Sequence, residues 1–192
     1  MRRLFCALVG LACAAAASAA AAYEIDPLTR QPLILFDQAP AKPQASPIPR
    51  TVVAAPSGHS PGTIVVSTAE RRLYLVQGDG TALKYGIGVG RVGFTWAGTT
   101  AVSMKREWPD WRPPAQMLKR RPDLPRYMKG GLDNPLGARA LYLGSSLYRI
   151  HGSNEPETIG QAVSSGCFRM TNDDVIDLYS RVRVGTRVVV TR

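Results

Sequence analysis

The sequence has very little cysteine and histidine, with three cysteines and two histidines in 192 residues. Cys6 and Cys13 fall in an N-terminal segment typical of a removable export signal, which leaves Cys167 beyond it. A single thiol cannot form an internal disulfide, so the disulfide-rich class of small secreted domains is excluded. A lone thiol in an exported protein indicates a reactive group or an intermolecular bond, with an inert buried side chain as the alternative.

Long apolar runs are also missing. The run from Leu4 to Ala17 is alanine-rich and shorter than the ~20 apolar residues of a spanning helix, which disfavours an integral membrane protein. It follows Arg2 and Arg3 and leads into small residues of Ala-x-Ala type, which is the pattern of a secretory signal. We therefore expect residues 1–22 to be a signal peptide and the protein to be exported to the periplasm or cell envelope.

Acidic residues are scarce relative to basic ones, with 14 Asp and Glu against 24 Lys and Arg. Removing Arg2 and Arg3 with the predicted signal leaves 22 basic minus 14 acidic residues, a net charge of +8. A basic exported protein suits anionic envelope polymers or lipid headgroups, although the charge can serve solubility alone. The sequence carries no zinc-finger or RNA-recognition pattern, so we expect no nucleic-acid partner.

Proline divides the chain. Residues 23–61 hold eight of the 15 prolines, which favours extended, open backbone. We therefore predict a disordered linker over 23–61 and a folded domain over 62–192. A second proline-marked stretch, 108–137, predicts a long loop inside that domain, either a substrate-facing flap or a passive connection.

Short β-branched segments dominate the predicted domain. Thr171 and Asp174 resemble a helix capping box, which predicts a helix over 172–181. Together these patterns predict a mainly β fold, a sandwich or partly open barrel with one clear helix after Cys167. The predicted strands are 63–68, 73–76, 83–89, 99–107, 140–143, 147–150 and 187–190.

Residues 62–192 contain one histidine, His151, and one cysteine, Cys167. An imidazole can remove the thiol proton, and a nearby helix N-terminus can stabilise the resulting thiolate at low pH. Gly166 permits a sharp turn beside the cysteine, where backbone amides can face an oxyanion. Spacing alone does not bring the two side chains together, and a packed thiol with a buried histidine is the alternative. One Cys and one His leave a metal site short of ligands, so we expect neither metal nor cofactor.

The residues around this pair resemble the signature of the L,D-transpeptidase family, the YkuD catalytic domain. The signature consists of His151-Gly152, then Ser164-Ser165-Gly166, then Cys167-Phe168-Arg169-Met170. Further similar stretches, which extend the resemblance over about residues 58–192, are 61–66, 72–75, 111–114, 133–137 and 184–188.

The resemblance implies that residues 62–192 are the family's catalytic domain, with peptidoglycan stem peptides as substrates and no cofactor. Cys167 matches the nucleophile, which attacks a stem tetrapeptide, releases D-alanine and forms a thioester. His151 matches the general acid and base, and the main-chain carbonyl of Gly152 orients its ring. Transfer to an amine then makes a 3→3 cross-link or attaches an envelope protein to the wall. Carbapenems acylate many family members.

Three further positions are expected to form the oxyanion or substrate contacts: Gly166, Arg169 and Ser165. Many relatives carry histidine where this chain has Ser165. This departure concerns the fine adjustment of the site and not the identity of the nucleophile. Arg169 matches a position for a substrate-carboxylate clamp or for loop support. Two other functions stay open: hydrolysis of the same bonds by an L,D-carboxypeptidase or endopeptidase, and a wall-binding module without turnover. We expect a monomer.

Overall fold

The structure is a computed structural model that describes residues 24–25, 32–33 and 46–192. Glu24–Ile25 (β1) and Pro32–Leu33 (β2) pair as a short antiparallel ladder. The predicted signal peptide, residues 1–22, lies outside the described residues. Its role in export therefore stays a prediction.

Residues 46–192 are mainly β and contain two α-helices, Ala115–Arg120 (α1) and Asn172–Arg181 (α2), and a short 3-10 helix, Pro156–Thr158. Within the described part of the chain, no helix has the length and apolar character needed to cross a membrane. The strands that follow β2, numbered β3 to β13 in chain order, are Thr51–Ala54, Ile64–Ser67, Arg72–Val76, Thr81–Gly86, Val89–Gly90, Gly98–Glu107, Arg139–Leu143, Arg149–His151, Ala162–Ser164, Phe168–Arg169 and Arg187–Thr191.

Within residues 46–192, nine strands form one open sheet in the order β12-β10-β9-β8-β13-β4-β5-β6-β3. Most neighbours are antiparallel, whereas β10 pairs parallel with β12 and β13 pairs parallel with β4. A separate parallel pair joins β7 to β11. This mainly β architecture with one main helix confirms the predicted fold class.

Helix α2 packs its apolar side into the same core as the sheet. Side chains form hydrogen bonds with backbone groups at both of its ends. At the start, the Thr171 hydroxyl accepts a 3.2 Å hydrogen bond from the Asp174 N–H, as the capping pattern predicted. At the end, the Lys105 ammonium donates to the carbonyls of Tyr179 and Val182 at 2.7 Å each. These carbonyls have no partner inside the helix, so the lysine stabilises its last turn.

The predicted linker is wrong for residues 46–61, which are part of the folded domain. Strand β3 pairs antiparallel with β6 and covers what would otherwise be an open sheet edge. Ile48 packs directly on Gly86 of β6. The prolines flank β3 instead of interrupting it, and its β-branched residues favour pairing despite the local proline density. Most of the remaining predicted linker lies outside the described residues.

A test of this docking uses the contact between Ile48 and Gly86. A methyl group on Gly86 would meet the Ile48 Cβ at 2.6 Å and the Ile159 Cγ2 at 3.2 Å. We expect Gly86→Ala to lower the free energy of unfolding by about 1–3 kcal/mol through overpacking. In an Ile48→Gly background the same change should cost clearly less. Urea unfolding of the four proteins measures the coupling, and equal costs in both backgrounds would show that Ile48 is not docked.

Candidate active site

The parallel pairing of β10 with β12 brings the two candidate catalytic residues to one face of the sheet. Ile150 lies opposite Phe168, and His151 lies opposite Arg169. Ile150 and Phe168 are buried in the core. Because side chains alternate along a strand, His151 and Cys167 turn toward the other face. Both line one cleft of about 700 Å³, so the structure brings together what sequence spacing could not.

His151 is held in one tautomer by the residue that follows it. Its Nδ1 lies 2.6 Å from the Gly152 carbonyl oxygen. A carbonyl only accepts, so Nδ1 carries the hydrogen and Nε2 carries a lone pair. Burial lowers the pKa of His151 to about 3, opposed by the Gly152 hydrogen bond and assisted by the charges of Arg169 and Arg149. The ring is therefore a neutral base at neutral pH.

The Gly152 carbonyl is itself fixed by its surroundings. The Gly152 N–H donates to the Arg139 carbonyl at 3.0 Å. A Cβ at Gly152 would collide with Oδ1 of Asn172, the first residue of α2. That oxygen already accepts a 2.9 Å hydrogen bond from the Ala138 N–H. Only glycine fits between His151 and the helix, so α2 helps to orient the imidazole through packing.

Cys167 lies on the turn before β12 and is partly exposed. Its thiol donates to the Leu147 carbonyl at 3.8 Å. Burial raises the pKa of the Cys167 thiol, while hydrogen bonds from Arg149 and the charges of Arg149 and Arg169 oppose the rise. The resting pair is thus a neutral thiol and a neutral imidazole, which corrects the expected low-pH thiolate. The helix expected to stabilise that thiolate begins only beyond β12.

Gly166 shapes the turn that carries Cys167. Its N–H donates to the Ser164 hydroxyl at 3.1 Å, and the expected oxyanion role of this amide stays a prediction. Its φ of 106° is one that glycine alone adopts easily, and a Cβ there would meet the Tyr148 ring at 2.5 Å. The Ser164 hydroxyl also donates to the Cys167 carbonyl at 2.6 Å, so Ser164 braces the turn. Ser165 lines the cleft, and its expected substrate contact stays a prediction.

Arg169 is engaged by a neighbouring loop. Its guanidinium lies 2.7 Å from the Glu155 carboxylate and 3.5 Å from the Thr158 hydroxyl. Its backbone also exchanges two 2.9 Å hydrogen bonds with Gly88. These contacts favour loop support over a clamp on a substrate carboxylate.

Trp96 supports the turn that carries Cys167, although sequence reasoning did not single it out. Its ring stacks on Tyr148 with centroids 4.9 Å apart and an interplanar angle of 11°. Its indole N–H donates to the Gly166 carbonyl at 3.1 Å. These partners are distant in the sequence, so no local pattern could have identified this contact.

The predicted flap, residues 108–137, forms one wall of the cleft. The amide of Asn134, a buried residue, closes the loop by donating to three carbonyls of the same segment and accepting from the Leu136 N–H. Trp111 and Met128 join its two sides through a pair of 2.8 Å backbone hydrogen bonds. The apolar flap residues that line the cleft include Trp111, Met117, Leu124, Met128 and Leu136. The flap therefore faces the candidate site.

Three cleft arginines have no carboxylate partner among the described residues: Arg91, Arg120 and Arg149. Arg91 and Arg120 both lie over the Phe94 ring, at 4.5 and 5.1 Å. Arg149 lies over the Tyr142 ring at 4.9 Å. Sequence reasoning missed Arg149, although its position two residues before His151 places it on the same strand face. The cleft is thus basic.

Metal ligands are not gathered at this site. Among the residues that the structure describes, no group of three or more His, Cys, Asp or Glu side chains is arranged to hold an ion. The expectation that the protein uses neither metal nor cofactor stays a prediction.

The L,D-transpeptidase catalytic domain, YkuD, matches residues 61–190 of the sequence. The chain belongs to the L,D-transpeptidase family. The probable L,D-transpeptidase ErfK/SrfK of Escherichia coli is 42% identical over 134 residues, which cover 65% of this chain and 42% of that protein. This family member spans less than half the length of the curated relatives that it matches first, 42% and 47%.

Two solved structures resemble this L,D-transpeptidase family member. A Brucella melitensis protein described as a probable carnitine operon oxidoreductase is 44% identical and covers 81% of this chain and 99% of its own, with a TM-score of 0.51. L,D-transpeptidase 3 from Mycobacterium tuberculosis, solved with a faropenem-derived adduct, is 19% identical over 68% of this chain and 60% of its own, with a TM-score of 0.51. The second likeness supports the fold alone. The description of the Brucella protein as an oxidoreductase raises the question of a dinucleotide-binding site. The glycine-rich stretch 86–90 leads here into a turn and β8, whereas the glycine motif of a dinucleotide-binding site leads into a helix.

The state of His151 gives a pH-dependent prediction. Its folded pKa of about 3 lies below the ordinary histidine value of 6.5, so the unfolded chain binds the proton more readily. Stability is therefore present above pH 6.5 and is lost as the pH falls toward 3, by at most about 1.4 kcal/mol per pH unit. Urea unfolding from about pH 7 to 4 measures this loss, which should shrink in His151→Gln. An imidazole NMR signal titrating near the unfolded value would contradict it.

Proposed function

We propose that this domain is a peptidoglycan L,D-transpeptidase in which Cys167 is the nucleophile and His151 the general acid and base. One observation carries the proposal: a neutral imidazole with its Nε2 lone pair available shares a cleft with the only cysteine beyond residue 22. Family membership supports the same reaction. Peptidoglycan lies outside the cytoplasm, so the proposal also requires the export that the signal pattern predicts.

The first half of the proposed reaction forms a thioester. The Cys167 sulfur attacks the carbonyl of the third residue of a stem tetrapeptide while its proton passes to Nε2 of His151. The bond to the terminal D-alanine then breaks, and the imidazolium returns the proton to the departing amine. Because the pKa of His151 is held low, its imidazolium is a strong acid, which suits protonation of a poor leaving group.

The second half transfers the acyl group to an amine. A side-chain amine of a second stem attacks the thioester, His151 accepts the amine proton, and the Cys167 thiol is regenerated. The product is a 3→3 cross-link, or a wall-linked envelope protein if that protein supplies the amine. The apolar lining of the flap favours an amine over water, because it limits the hydration of the thioester.

The charge of the cleft supports an anionic peptide substrate. Arg91, Arg120 and Arg149 bring positive charge without a carboxylate partner among the described residues. Stem peptides carry free carboxylates, and complementary charge raises the rate of encounter and fixes orientation. The net charge of +8 expected after removal of residues 1–22 acts in the same direction.

Loss of the nucleophile or of the base should abolish acylation. We expect Cys167→Ala to form no covalent adduct, and His151→Ala to acylate about 10²–10⁴-fold more slowly. Intact-protein mass spectrometry after incubation with a carbapenem or with a disaccharide tetrapeptide measures the adduct. His59→Ala is the matched control, because His59 is the other histidine and does not line the cleft. Undiminished acylation of Cys167→Ala would remove Cys167 from the proposed role.

Product analysis separates transfer from its two alternatives. Incubation with purified tetrapeptide muropeptides should give 3→3 dimers and free D-alanine, because the flap favours an amine acceptor. Tripeptide monomers without dimers would establish an L,D-carboxypeptidase, and cleavage of dimers an endopeptidase. Binding to sacculi that persists in Cys167→Ala, with no product from the native chain, would establish a wall-binding module. Mass spectrometry of the muropeptides reads all these outcomes.

A further inference from the structure

We propose that Arg149 is a further catalytic residue, whose guanidinium stabilises the negative charge on the Cys167 sulfur during attack. The inference rests on the proposed function for its consequence in turnover. The effect on the sulfur itself is a property of the free protein and is testable without a wall peptide.

The strand register places Arg149 beside the nucleophile. Ile150 of β10 lies opposite Phe168 of β12, and the two strands run parallel. One residue earlier, Arg149 at the start of β10 therefore lies beside Cys167 on the turn before β12. Both side chains alternate away from the core that buries Ile150 and Phe168, and both line the cleft. Proximity thus follows from the same pairing that positions His151.

Arg149 lies close enough to the Cys167 sulfur to act on its pKa. Hydrogen bonding by its backbone and side chain, together with its positive charge, opposes the rise in the pKa of the thiol that burial causes. Hydrogen bonds in which a partner is charged are roughly twice as strong as neutral ones. Thiolates are stabilised when an arginine lies beside them. The arrangement is therefore of the kind that increases the nucleophilicity of a half-buried thiol.

The charge of Arg149 is not neutralised elsewhere in the described part of the chain. Arg169, the other cation that acts on the sulfur, is paired with Glu155 at 2.7 Å. Arg149 has no such carboxylate, and its buried Nε–H has no hydrogen-bond partner. The Tyr142 ring, 4.9 Å from the guanidinium carbon, fixes the plane of the group. Arg149 is thus the positive group available to a developing anion at the sulfur.

The site needs this cation because its other features oppose ionisation. Burial raises the pKa of the Cys167 thiol, and burial together with the charges of Arg169 and Arg149 lowers the pKa of His151. During attack the thiol proton moves to Nε2 of His151 and the sulfur bears the charge. Arg149 stabilises that anion directly. Its charge also disfavours the imidazolium, so the proton passes on readily to the leaving amine.

The test measures thiol reactivity in the full chain. Iodoacetamide alkylation is followed against pH on the tryptic peptide that carries Cys167, for the native protein and for Arg149→Met and Arg149→Lys. We expect Arg149→Met to move the midpoint of the rate profile to higher pH and to slow alkylation at pH 7 about tenfold. Arg149→Lys should retain part of the native rate, because it keeps a charge but not the planar donors.

Arg112→Met is the matched control. Arg112 also stacks on a tyrosine, Tyr127, at 4.6 Å, but does not line the cleft. Its loss should leave the alkylation profile unchanged. Thermal unfolding checks each fold, and if Arg149→Met does not fold, the profile of Arg149→Lys decides. An unshifted profile in the folded variant overturns the proposal. A shifted profile in a protein that forms no wall product supports Arg149 while rejecting the proposed function.

Discussion

The register between β10 and β12 is the constraint on which the candidate site depends. Ile150 and Phe168 are buried on one side of this parallel pair, and Arg149, His151, Cys167 and Arg169 occupy the other. A slip of one residue would exchange the two faces and bury the charged groups. The hydrophobic core therefore specifies the chemistry, because burial of two apolar side chains aligns the thiol, the imidazole and the guanidinium.

A second constraint joins the base to the helix. The Gly152 carbonyl fixes the tautomer of His151, and Asn172 of α2 packs against the backbone of that glycine. The helix thus contributes through position, since β12 separates its first turn from Cys167. Its cap at Thr171 and the lysine at its end hold it in that position. The interactions that stabilise helix α2 consequently also help to orient His151.

Local patterns predicted the local features. The capping pair at Thr171 predicted helix α2, and the spacing of prolines predicted the flap. Both patterns could be recognised because they depend on residues close together in the sequence. Strand β3 was missed because it is stabilised by pairing with β6, a contact that the local density of prolines does not reveal. The hydrogen bond from the Gly166 N–H to the Ser164 hydroxyl could not be predicted from the sequence, because it depends on the conformation of the turn. Arg149 and Trp96 depend on distant partners, which no single segment specifies.

The neutral resting pair has a consequence for the exported thiol that the sequence predicts. Oxidation follows thiolate character, so a thiol whose pKa is raised by burial is protected while the cleft is empty. A nucleophile must nevertheless ionise when substrate arrives. The structure meets these two requirements with different groups. Burial keeps the proton on Cys167 at rest. The His151 lone pair can accept that proton, and the Arg149 guanidinium, which has no carboxylate partner among the described residues, can stabilise the sulfur anion. The thiol therefore becomes reactive only when a substrate carbonyl lies at the sulfur, because that carbonyl takes up the negative charge as the bond forms.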